Sequence, residues 1–180
     1  EQNTIEKNFM APVVDDPAAR ALNILIERDN SKLTPEHRLA WTRFVMSMHI
    51  RNPGKVEHIT NQAAQVLRQS ILADPEEYDA IRGTDDPPTL VEWVEQKAPE
   101  ILSNIGKQIL PDIITQQPTA DAIIRMRWWT IGIADGFPDL LTCDRPLYMS
   151  HGVIDERCFI ALPLSPRFVF IATRSQSTFD

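Results

Sequence analysis

Asp144 lies in the run Leu141-Thr-Cys-Asp144-Arg-Pro146, after an apolar stretch and before a proline. A carboxylate at a strand end can hold a metal, act as a base or accept hydrogen bonds from turn amides. The spacing Thr142-x-Asp144-x-Pro146 also suits an Asx turn, which is a purely structural use. Arg51 closes an apolar-periodic stretch just ahead of Asn52-Pro53. A cation there can favour a helix C-terminus, or its guanidinium fork can clamp an anion. Arg43 falls roughly two turns earlier on the same helical face. Glu6 is a further carboxylate, which the sequence alone does not place near Asp144. Asp144, Arg51, Arg43 and Glu6 form the candidate polar site, either a structural ion network or a functional centre.

The common catalytic patterns are missing. There is no P-loop, G-x-G-x-x-G, H-E-x-x-H, G-x-S-x-G or C-x-x-C. With six glycines in the chain, a phosphate-cradling glycine loop is not expected. His37, His49, His58 and His151 show no metal-ligand spacing, and His49 is the one expected to be half-buried. Ser165 precedes Pro166 in a turn, with no base beside it in sequence, so it is not read as a nucleophile. Trp128 and Trp129 point to opposite faces of a strand: one belongs in the core, the other at a pocket, an interface or the sheet cover. Cys143 and Cys158 sit in apolar runs and read as two reduced core thiols in a cytoplasmic protein. No metal site is implied, and which cofactor, if any, is unknown from the sequence.

The chain has 180 residues and a net charge of −7. An acidic domain without basic runs makes a poor non-specific nucleic-acid binder, because phosphate neutralisation drives such binding. No apolar run reaches the roughly 18 residues of a membrane span. The polar start, Glu1-Gln-Asn-Thr, does not read as a signal peptide. A homo-oligomer is left open.

The elements that would position these residues change character along the chain. Residues 1–15 read as irregular, docked by Phe9, Met10, Val13 and Val14. Asp15-Asp16-Pro17 starts a helix, with Asp15 as its cap. Thr34-Pro35 starts the next, spanning 35–50, with Leu39, Ala40, Phe44, Val45 and Met48 on one side and Trp41 on a flank. A third helix follows Pro53. Asp74-Pro75 opens a short fourth, and Thr89-x-x-Glu92 forms a capping box for a fifth. Pro99 and Pro111 bracket a separate helix over 100–110. Beyond Pro118 the period shortens to that of strands, although the first residues of 123–133 could still be helical. Strand-like runs follow at Leu140–Cys143, Pro146–Met149, Cys158–Leu164 and Arg167–Ala172. The expected fold is α+β: one domain over 1–180, with a helical layer at 16–117 packed on a small antiparallel sheet at 124–173.

Several pieces occur together in order: Glu6-Lys-Asn-Phe9, Trp41-Thr-Arg-Phe44, Ser47-x-x-x-Arg51-x-Pro53, Met126-Arg-Trp-Trp129, Leu141-Thr-Cys-Asp144-Arg-Pro146 and Leu162-Pro-Leu-Ser-Pro166. In this the chain resembles the family called domain of unknown function 4238, which is mostly bacterial. The resemblance implies a fold and a residue constellation but no reaction. Members of that family usually carry an H-x-x-P element before a short strand, and residues 1–15 contain no match to it. Two functions are expected. One is a non-enzymatic binding or accessory protein linked to defence or mobile elements. The other is a metal-dependent phosphodiester hydrolase using an upstream His with Asp144, Glu6 and the arginines.

Overall fold

Proline and threonine mark where most of the helices begin. Thr34 caps one helix through the backbone N–H of His37, and the His37 ring returns the bond to the Thr34 amide. Thr89 and Glu92 form the same reciprocal box, which satisfies two amides that have no partner inside a helix. In a computed structural model, residues 5–73 and 76–174 are described, apart from the side chains of Pro53 and Ala73. The Asp74-Pro75 helix start and Glu1–Thr4 lie outside these residues. Seven α-helices occur among the described residues: α1 (Asp16–Glu27), α2 (Pro35–Ile50), α3 (Pro53–Ala73), α4 (Glu76–Ile81), α5 (Leu90–Lys97), α6 (Pro99–Ile114) and α7 (Gln117–Ile124). Four strands follow: β1 (Arg127–Gly132), β2 (Tyr148–Met149), β3 (Phe159–Ser165) and β4 (Phe168–Thr173). The class is α+β.

The chain divides into two compact units. Unit 1 comprises Glu1–Asn52 and Ile114–Asp180; unit 2 is Pro53–Ile113.

In unit 1 the strands form one antiparallel sheet in the order β1-β4-β3-β2. The register sets Trp128 beside Ala172 and Ile160, and Thr130 beside Phe170 and Leu162. These residues share the inner face, and all are buried. Helices α1, α2 and α7 supply Ala18, Ala21, Leu25, Trp41, Val45, Met46, Ala120 and Ile123 to the same core. At its centre Trp41 and Trp128 each pack edge-to-face with Phe170, with ring centroids 5.5 and 5.2 Å away. Trp128 is the core tryptophan and Trp129 the surface one. A bulge between Pro163 and Ser165 accommodates a proline that cannot donate to the ladder.

In unit 2, Ala64, Val94 and Leu102 from α3, α5 and α6 form a smaller core, with Leu67, Ile71, Trp93 and Ile105 around it. Helices α3 and α6 meet closely at Gly106, where an added Cβ would lie 2.6 Å from Thr60 Cα. Only glycine fits there.

Five expectations need correction. Residues Glu6–Asp15 are a π-helical segment running directly into α1, not an irregular stretch. Met10 and Val14 are its buried contacts, and Pro12 inside it has no N–H to lose from the i→i+5 ladder. Asp15 therefore has helical dihedrals and caps nothing. Trp41 is not on a flank. Helix α2 is buried on most sides, at Ala40, Trp41, Thr42, Val45, Met46, Ser47 and Ile50, because α1, α7 and the π-helical segment all pack on it. Pro111 does not end a helix; it lies inside α6. Leu140–Cys143 is not a strand. The Leu140 amide donates to Pro166 O, but Leu141 and Cys143 are exposed.

Candidate functional site

Helix α2 brings two of the four candidate residues onto one face. Arg43, Ser47 and Arg51 recur every four residues, so each is displaced roughly 40° and 6 Å from the last. Arg51 is the C-cap residue, and its amide donates to Ser47 O over 2.8 Å. Asn52-Pro53 then prevents the helix from continuing in the same register. A cation here complements the carbonyl end of the helix.

The Arg51 guanidinium donates through Nη2 to both carboxylate oxygens of Asp15, at 3.2 and 3.1 Å. The two side chains remain 30% and 37% exposed, so solvent screens the pair and its net worth is about 0–1 kcal/mol. Arg51 Nε is buried and has no hydrogen-bond partner.

Arg43 is half-buried, and its Nε is also sealed from solvent without a partner. Among the described residues no carboxylate pairs with it. Ser47, fully buried between the two arginines, spends its hydroxyl proton on Phe44 O at 2.8 Å. Its oxygen can still accept. Trp41 Nε1 and Thr42 Oγ1 are further buried atoms without partners on this helix, and Thr130 Oγ1 is one on β1. Leaving a buried donor unsatisfied costs about 1–3 kcal/mol, so their concentration on α2 calls for an explanation.

The other candidates lie elsewhere. Asp144 is exposed, as are Thr142 and Arg145 beside it. Among the described residues it makes no hydrogen bond or ion pair, so the expected Asx-turn bonds are not made. Glu6 is exposed at the start of the π-helical segment, also without a partner there. Arg51 is thus half-buried and Asp144 exposed.

Asp15 escaped the sequence reading as a site residue, because Asp-Asp-Pro is a strong helix-start signal. The orphaned Trp41 and Thr42 were missed because nothing in a run of such residues shows that both would be enclosed.

Two further polar features are already neutralised. In unit 2 an open groove of about 490 Å³ is lined by Thr60, Ala64, Arg68, Glu95 and Leu102, and Arg68 is bound there by Glu95 at 3.1 Å. Arg167 is fully engaged with Ile133 O, Ala134 O, Phe137 O, Asp135 and Asp139. Among the described residues no three His, Cys, Asp or Glu side chains gather into a metal-binding group. No helix there is long and apolar enough to cross a membrane.

The acidic charge is unevenly placed. Unit 2 carries eleven acidic and five basic side chains, a net of −6, and unit 1 carries fourteen and thirteen, a net of −1. The Arg43–Arg51 face therefore belongs to the nearly neutral unit.

No curated protein and no solved structure matches the chain. The family model described as protein of unknown function (DUF4238) matches residues 1–180. That match covers the six pieces in which the resemblance was read, including Trp41-Thr-Arg-Phe44 and Ser47-x-x-x-Arg51-x-Pro53, and the chain belongs to the DUF4238 family.

Proposed function

We propose that the protein is a binding domain for an anionic ligand, held on the α2 face by Arg43 with help from Arg51. The observation that carries this reading is that Arg43 is a half-buried residue whose guanidinium Nε is shut away from water and unpaired. A guanidinium with one N–H enclosed and unbonded is poorly solvated, so an oxyanion received by its outer Nη groups compensates it. The planar fork suits a phosphate, sulfate or carboxylate. Ser47 between the two arginines is small, so both long side chains can lean over it. The near-neutral charge of unit 1 does not oppose an anion.

This is a binding role and needs no acid, base or nucleophile. It agrees with an accessory part in defence or in a mobile element, where recognition of a phosphorylated molecule would be useful. A hydrolase would further require Asp144 or Glu6 to act on the bound anion, and no contact of either supports that.

A thermal-shift titration tests the reading. Inorganic phosphate should raise the melting temperature of the native protein more than chloride at matched ionic strength. Arg43→Met keeps the side-chain length without the charge and should abolish the difference. An equal response to both salts would overturn the proposal.

A further inference from the structure

Resting on that reading, we infer that Asp15 is a built-in competitor for the ligand at Arg51, so that capture of an oxyanion frees the junction between the π-helical segment and α1. Asp15 places both carboxylate oxygens on one guanidinium nitrogen, Nη2. The pair leaves Arg51 Nε buried and unused. A carboxylate bound side-on would take Nε and Nη2 together. Asp15 thus fills the anion position on Arg51 without making its best bond. An incoming phosphate, with more acceptor oxygens and Arg43 two turns away to share the charge, can displace it.

The location of Asp15 gives this exchange a consequence. It is the last residue of the π-helical segment, and Asp16 is the first of α1, its amide donating to Ala11 O. π-helix is rare and mostly confined to single turns at functional sites. Here it persists for ten residues with a proline inside. Arg51 lies thirty-six positions along the chain from Asp15 and reaches back to it. The ion pair therefore pins the last π-helical residue to the C-terminus of α2. Once phosphate replaces Asp15, the junction loses that tether.

The chemistry shared by the eligible ligands is a phosphate oxyanion, either free or as a monoester. The test titrates the native protein and the Asp15→Asn variant with inorganic phosphate and, separately, phenyl phosphate. Calorimetry follows binding, and hydrogen exchange follows residues 6–20. Asp15→Asn should bind up to about fivefold more tightly, the factor set by losing a solvated ion pair. In the native protein, saturating ligand should speed amide exchange around the Ala11–Asp16 junction. A response to phenyl phosphate beyond that to free phosphate assigns the site to monoesters; equal responses assign it to the free ion. Phosphate binding that needs Arg43, with equal affinity in Asp15→Asn and unchanged exchange at the junction, would overturn the competitor role while leaving the binding site in place. If the native protein and Asp15→Asn both fail to bind either probe, the site itself fails and this inference goes with it. The exchange measurement uses the native chain, so it decides the matter even if the variant does not fold.

Discussion

The Arg38 guanidinium carbon sits 3.9 Å from the centre of the Trp128 ring. Its Nη2 also donates to Ile124 O at 2.6 Å and to Met126 O at 3.0 Å, while Trp128 Nε1 donates to Ile123 O at 3.1 Å. One arginine on α2 thereby closes the last turn of α7 and covers the tryptophan at the second position of β1. Burial pushes the Arg38 pKa down, but a guanidinium remains charged throughout the working range. Arg38→Met keeps the stem over Trp128 and removes the charge and both bonds. It should cost about 2 kcal/mol, read as a fall of several degrees in melting temperature. Arg38→Lys should recover part of the loss, since it keeps the charge but not the fork. Unchanged stability in Arg38→Met would show that the contact contributes nothing.

Gly106→Ala tests the close approach of α3 and α6. The methyl group would enter space held by the Thr60 backbone, which cannot rotate aside. Denaturant titration should show a loss of about 1–3 kcal/mol, larger than the helix-propensity gain of Gly to Ala. A stabilised variant would contradict the packing.

The two cysteines should label at very different rates. Cys143 is exposed, whereas Cys158 is fully buried, with Sγ donating to His151 O at 3.2 Å. A thiol reagent should titrate one group in the native protein and two after unfolding. Burial holds the Cys158 pKa above its ordinary value. The unfolded chain therefore ionises this thiol first as pH rises, so Cys158 should reduce stability above the ordinary thiol pKa and have no effect below it.

Asp155 should remain ionised in acid. Arg157 donates to it from Nε, Nη2 and the backbone amide, at 3.1, 2.8 and 2.9 Å, and these bonds hold its carboxyl well below the usual range. A depressed folded-state pKa adds stability above the ordinary carboxylate pKa that disappears as pH falls through the depressed value. Carboxyl NMR should find Asp155 still charged near pH 3, below the ordinary value of about 3.9. In Arg157→Gln it should titrate closer to that ordinary value.

Much of the fold was legible in local patterns. The caps at Thr34 and Thr89 mark real boundaries because they depend on neighbouring residues alone, whereas the change of period read beyond Pro118 comes only after the helix α7, Gln117–Ile124. The errors occurred where distant partners decide. Helix α2 reads as one-sided, yet Trp41 and Thr42 are enclosed by elements from both ends of the chain. Leu140–Cys143 has strand-like residues, but no strand pairs with it. The site was half legible. Arg43 and Arg51 share a face by helical arithmetic, whereas the link from Arg51 to Asp15 depends on how the first helical stretch crosses α2. Asp144 has the sequence of a turn residue, but the bonds that would make it one do not form.

The central claim is that Arg43 is an anion anchor. The most direct measurement is the Nε–H resonance of Arg43 in a nitrogen-resolved NMR spectrum during titration with inorganic phosphate at constant ionic strength. The account predicts a saturable shift of the Arg43 signal, joined by Arg51 and absent with chloride. An Arg43 resonance that stays fixed while phosphate rises, or that moves equally with chloride, would contradict it.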